Sequence, residues 1–262
     1  MLFVVGDSHA VALRDGLTVL DAPARDLLER QCGDIKVGGM VAGYRLYEPF
    51  FRRDEWGLSF LQPFADRFAA FTQSAGVICR DDERIFGFCF GFHLFGLHPA
   101  LLGHHPMWQQ YSLLHSDNRQ FLSSAVVTEI ILHQSRYVLQ FAEALQELGV
   151  RAFFIGPPPV RRRYIEKRLR GLVEEEAVRL QLQVWDVMGA ALNALSIPYI
   201  LAPPETSING ILRPEFGTND DHHGNAQFGG KMWRLIAARI EAGTFPILCP
   251  PRASASLQAG QS

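Results

Sequence analysis

Two polar clusters hold the side chains best placed to do chemistry. One is Gly6-Asp7-Ser8-His9, which follows the apolar run Leu2 to Val5, and the other is TNDDHHG, residues 218–224. The first admits two readings. Ser8, at the start of a helix, could be a nucleophile, because unpaired backbone N–H groups and the helix dipole favour an oxyanion there. Asp7 and His9, in Asp-x-His spacing, could instead open a metallophosphoesterase metal site. The second cluster bears on that choice. Asp220 and His223 stand three apart, so one tight loop can carry a general base and the acid that orients it. His222 has Asn219, not an acid, three residues before it, which leaves His222 and Asp221 as loop neighbours of the pair. A phosphoesterase reading can take Gly33-Asp34 as a second motif. It then breaks off, because neither Gly-Asn-His-Asp/Glu nor Gly-His-x-His occurs later.

The elements between the clusters must bring them together. Short apolar runs at 2–5, 34–37, 84–90, 150–156 and 197–202 each end in Gly, Pro or a polar turn, as buried parallel strands do. Helical periodicity covers 61–72 and 125–148, with Gly149 as a stop. It also covers 161–195, with a break expected near Trp185, and a last helix from Asn225 or Ala226 to Gly243. Alternating strands and helices predict a doubly wound α/β domain, whose ligands sit beyond the carboxyl ends of the strands. The loop after the first strand and the loop before the last helix share that edge. Residues 38–58 and 92–118 are rich in Gly, His and aromatics without a clean period, and the second stretch is expected to form a lid or wall. The tail, 244–262, has the composition of a disordered segment.

Bulk properties exclude several classes. The chain has 262 residues, 48% of them hydrophobic and 20% charged, with a formal net charge of -2. Such a balance argues against nucleic acid or an anionic membrane as partner. No stretch of 18 apolar residues occurs, and the first strand stands where a signal peptide would, so a cytoplasmic location is expected. Cys32, Cys79, Cys89 and Cys249 have neither metal-ligand spacing nor the number for a disulfide framework. His104-His105 reads as a surface pair rather than as ligands, and no metal or cofactor is expected.

The two clusters together resemble a known family. Gly-Asp-Ser after the first strand, Gly38-Gly39 after the second, and Asp220-x-x-His223-Gly-Asn-x-x-Phe-Gly229 before the last helix resemble the SGNH (GDSL-like) hydrolases. The resemblance implies a flavodoxin-like three-layer α/β/α sandwich, with a five-stranded, mainly parallel sheet, over residues 1–243. It implies hydrolysis or transfer of acyl esters, often on carbohydrates, with Ser8 as nucleophile, His223 as general base and Asp220 as its partner. The backbone N–H groups of Ser8 and Gly39 would form the oxyanion hole. The family's third block carries an Asn donor, whereas this chain reads Gly91-Phe92-His93, so His93 is the candidate substitute. Asp7, which also braces the turn, and Arg161 and Arg162, which follow GPPP, are the candidate substrate-contacting groups. The expected partner is a small-molecule or carbohydrate ester. O-acyl transfer to a sugar hydroxyl would use the same triad, and a non-catalytic binding protein is the third class.

Overall fold

Alternation along the first strand divides the core in two. In the computed structural model, Leu2 and Val4 face one side of the sheet, and Phe3 and Val5 the other. The structure describes residues 1–40, 43–73, 76–80, 82–93, 104–106, 120–169 and 172–245. Its central sheet comprises β1 (Leu2–Gly6), β2 (Ile35–Gly39), β3 (Ile85–Cys89), β4 (Arg151–Ile155) and β5 (Tyr199–Ile200). The spatial order is β5-β4-β3-β1-β2 and every pairing is parallel. This is the flavodoxin-like order, in which the chain reverses direction across the sheet between β1 and β3 and opens a crevice there.

Helices cover both faces, completing a three-layer α/β/α sandwich. Helices α1 (Ala10–Gly16), α2 (Ala22–Cys32) and α7 (Ala226–Glu241) pack on the Leu2/Val4 side. Helices α3 (Phe64–Thr72), α4 (Ser124–Glu147), α5 (Arg162–Arg168) and α6 (Glu174–Ala194) pack on the other. The second face is built largely from phenylalanines, among them Phe50, Phe60, Phe68, Phe88 and Phe141. Rings such as Phe88 and Phe141 meet edge to face at 4.9 Å, a geometry their quadrupoles favour.

The two polar clusters are brought together because α1 and α7 touch through backbone. A Cβ on Gly229 would overlap the carbonyl oxygen of Ala12, and one on Gly16 would overlap Gly229. Trp233, fully buried, donates its indole N–H to the Leu13 carbonyl at 2.8 Å. The start of α7 is therefore locked beside the start of α1. Asn225 caps α7, accepting from the N–H groups of Gln227 and Phe228.

Three expectations change. The break in 161–195 falls between Arg168 and Glu174, not at Trp185, which is buried within a continuous α6. Glu174, Glu175 and Glu176 supply the negative charge that a helix start favours, and the Glu176 carboxylate accepts the Val173 N–H at 3.0 Å. Within 38–58, the chain forms strands Phe51–Arg53 and Gly57–Phe60, which join Val77–Cys79 in a small antiparallel sheet. Gly243 ends the region after α7, but the helix itself stops at Glu241. The lid expected over 92–118 and the tail 246–262 lie almost wholly outside the described residues. Among the described residues, no helix is long and apolar enough to cross a membrane.

Candidate functional site

β1 and β3 deliver the first half of the site to the crevice between them. The two strands run so close that a Cβ on Gly6 would lie 2.6 Å from the Cys89 carbonyl oxygen. Beyond Gly6 the chain turns sharply. Asp7 accepts the backbone N–H of His9 at 2.9 Å, and Ser8 is left exposed at the apex. Beyond β3, Gly91 takes φ +95°, a left-handed conformation that glycine adopts without strain. That turn sends Phe92 into the core and His93 toward Asp7.

Asp7 and His93 form a sealed pair. Asp7 Oδ2 lies 2.7 Å from His93 Nε2, with side-chain exposures of 2% and 6%. Burial raises the Asp7 pKa, but the charges and hydrogen bonds of His93 and His9 outweigh it and hold the carboxyl down at about 2. The ring of His9 stacks on His93, with centroids 4.6 Å apart and planes at 20°. Burial keeps His9 well below the usual imidazole pKa, so it is neutral near pH 7. Cys89, at the end of β3, is also buried, and burial pushes its thiol well above the usual range. That makes it a packing residue rather than a nucleophile.

The second half of the site is a tight loop, residues 218–223, ahead of α7. Its base is closed by a bridge between Gly217 and Gly224 and by the Thr218 N–H donating to the His223 carbonyl at 3.1 Å. Asp220 organises the tip. One of its oxygens accepts the N–H groups of His222 and His223, and the other lies 2.6 Å from His223 Nδ1. Burial pushes this carboxyl up, but those hydrogen bonds prevail and hold it well below the usual carboxylate range. Asp221 makes a similar contact, 2.8 Å from His222 Nδ1, and is itself held by Arg168.

The two halves face each other through imidazoles. The His223 ring lies 4.9 Å from that of His9 and 3.8 Å from that of His222. With Nδ1 on Asp220, His223 turns Nε2 to the interior, where it is buried and has no hydrogen-bond partner. Ser8 directly precedes His9 and is exposed. Its hydroxyl and His223 Nε2 are not hydrogen-bonded in this state, so the structure brings nucleophile and base candidates to one crevice without joining them. In ligand-free enzymes such contacts are commonly long.

Of the oxyanion candidates, Gly39 sits at the carboxyl end of β2, level with Gly6 and exposed. The two glycines of this block differ. A Cβ on Gly38 would lie 2.7 Å from the Phe71 ring, so packing requires its smallness. A Cβ on Gly39 would have only the Asp7 carbonyl oxygen nearby, at 3.8 Å. His93 lines a cavity of about 40 Å³ together with His9, His222, Phe92, Arg161 and Tyr164.

The two arginines take different partners. Arg161 donates to the carbonyls of Thr218, Asp220 and His223, lying flat against Gly217. Its planar array of donors staples the loop. Arg162 points away and pairs with Glu174 at the surface. Asp7, too, is sealed from solvent by its partners. Sequence reasoning missed the stapling by Arg161 and the packing of His9 into the imidazole cluster. The Pro-rich stretch before Arg161 hinted only that the residue lies near the sheet edge, and nothing marked His9 as buried.

No family model and no curated protein matches the sequence. Solved structures to which the chain is similar include a GDSL-like lipase from Bacteroides thetaiotaomicron, at 14% identity and TM-score 0.45, covering 92% of this chain and 88% of that one. An acetyl xylan esterase aligns at 10% identity and TM-score 0.44, over 94% of this chain and 100% of the other. An aryl esterase of M. smegmatis aligns at 10% identity and TM-score 0.42, over 92% and 98%. At such identities and TM-scores the likeness transfers no substrate and no residue role. The sheet order stands on this chain's own strand pairing.

Proposed function

We propose that this chain is a serine acyl-ester hydrolase working through Ser8, His223 and Asp220. The observation that carries the reading is the Asp220–His223 pair. Its carboxylate fixes Nδ1–H, so the basic lone pair is on Nε2, which is buried and without a hydrogen-bond partner in the crevice that also holds Ser8.

Ser8 Oγ attacks the ester carbonyl while His223 Nε2 takes its proton. Asp220 stabilises the imidazolium, which then protonates the leaving alcohol. Water repeats the cycle on the acyl-enzyme. The backbone N–H groups of Ser8 and Gly39 are the oxyanion donors in this reading. His93 turns Nε2 to Asp7, so Nδ1 can donate to an oxyanion only from the doubly protonated ring.

The test is hydrolysis of an aryl acetate by the wild type and by Ser8→Ala. A fall in kcat of about a thousandfold or more supports the nucleophile assignment. Undiminished turnover in the variant overturns it.

A further inference from the structure

Hydrolysis uses one of four imidazoles that gather in this crevice, and three of them can share one ion. One ring nitrogen from each of His9, His222 and His223 lies within 4.8 Å of the other two. Around a tetrahedral zinc ion with bonds near 2.05 Å, such atoms stand about 3.3 Å apart. Modest rotations of the rings therefore close the set. The surroundings of two of these rings point the same way. His222 and His223 each place Nδ1 on a carboxylate of their own, Asp221 at 2.8 Å and Asp220 at 2.6 Å. That carboxylate–histidine arrangement fixes the tautomer that puts the lone pair on Nε2, and it is the usual support behind metal-ligating histidines. A triad needs one such pair, and this loop carries two in succession.

We propose that His9, His222 and His223 form a binding site for one divalent transition-metal ion of the zinc class, with water as fourth ligand. Three imidazoles select borderline ions such as Zn²⁺ or Co²⁺ and reject Mg²⁺ and Ca²⁺, which require oxygen ligands. Asp7, Asp220 and Asp221 surround the three rings with negative charge, which Arg161 and Arg168 partly offset. The ion would occupy Nε2 of His223, the atom the serine mechanism uses as its base. On that reading a bound ion inhibits ester hydrolysis. The binding claim itself does not rest on the serine mechanism.

Calorimetric titration of the metal-free protein with ZnCl₂, and separately with MgCl₂, tests the site. One Zn²⁺ per chain and no Mg²⁺ are expected, and Co²⁺ should give the visible absorption of a tetrahedral nitrogen-rich site. His222→Gln should abolish the stoichiometric binding. Asp221→Asn, which keeps all three ligands, should weaken it by roughly 10–100-fold. Absence of Zn²⁺ binding in the wild type overturns the proposal, as does undiminished binding in His222→Gln. Stoichiometric Zn²⁺ binding that leaves aryl acetate turnover unslowed upholds the metal site and counts against His223 as the base.

Discussion

Two of the three acid–imidazole pairs in the crevice have nearly equal length and opposite setting. Asp7–His93 closes at 2.7 Å with both side chains sealed, whereas Asp220–His223 closes at 2.6 Å with the carboxylate 43% exposed. The sealed pair joins two strand ends: Asp7 holds the turn after β1 and His93 the turn after β3. It has little room to exchange protons with a ligand. The open pair is held by backbone N–H groups on one side and presents an unpartnered Nε2 on the other. The same two residue types therefore brace the crevice in one place and offer a base in the other. Burial and the fate of the second ring nitrogen make the difference.

Substitutions that separate the pairs test this contrast. The largest effect is expected from Asp220→Asn. It should lower kcat for an aryl ester by about 10⁴ through the wrong His223 tautomer, while leaving the fold intact. Steady-state kinetics alongside circular dichroism would read both quantities. Asp7→Asn should do the reverse. It leaves His93 without its charged partner in a sealed site, and losses of about 3–5 kcal/mol are typical for breaking buried pairs. Urea denaturation should show that loss as a lower midpoint, with unchanged slope.

A smaller effect acts on the geometry between the pairs. Gly229→Ala forces a methyl group into the Ala12 carbonyl, so α7 must move away from α1 and carry the 218–223 loop with it. Overpacking of this kind costs about 1–3 kcal/mol. The thermal midpoint should fall, and ester turnover should fall further than in a variant of equal stability altered in the phenylalanine face. The smallest effect belongs to Arg162→Ala, which removes a surface pair with Glu174. Its kcat and KM should match the wild type, whereas Arg161→Gln should lower kcat by releasing the loop that holds Asp220 and His223.

Much of this arrangement is legible in the sequence where one physical signal dominates. The five strand runs are short, apolar and punctuated; four central strands fall within one residue of their runs or inside them, and β2 continues two residues past its run to Gly39. The Asp-x-x-His spacing identifies the loop pair because one tight turn can form that contact locally. Signals fail where a contact joins distant residues. His93 resembles a displaced oxyanion donor in the sequence, but only folding shows that Asp7 takes its Nε2. Arg161 suggests an anion site by charge, yet its donors are satisfied by carbonyls more than fifty positions away. His9 stands at a helix start with polar neighbours, and His93, His222 and His223, all distant in sequence, pack against its ring. The separate start of α6 at Glu174 escapes notice because the acidic run Glu174 to Glu176 reads equally well as helix interior or helix start.

The most direct test of the account is covalent labelling with a fluorophosphonate, followed by intact-mass and peptide mapping. The account predicts a single adduct on Ser8, absent from Ser8→Ala and formed far more slowly in Asp220→Asn. It also predicts that labelling abolishes ester turnover in proportion to occupancy. Full ester turnover in a protein that takes no label at Ser8 would contradict it.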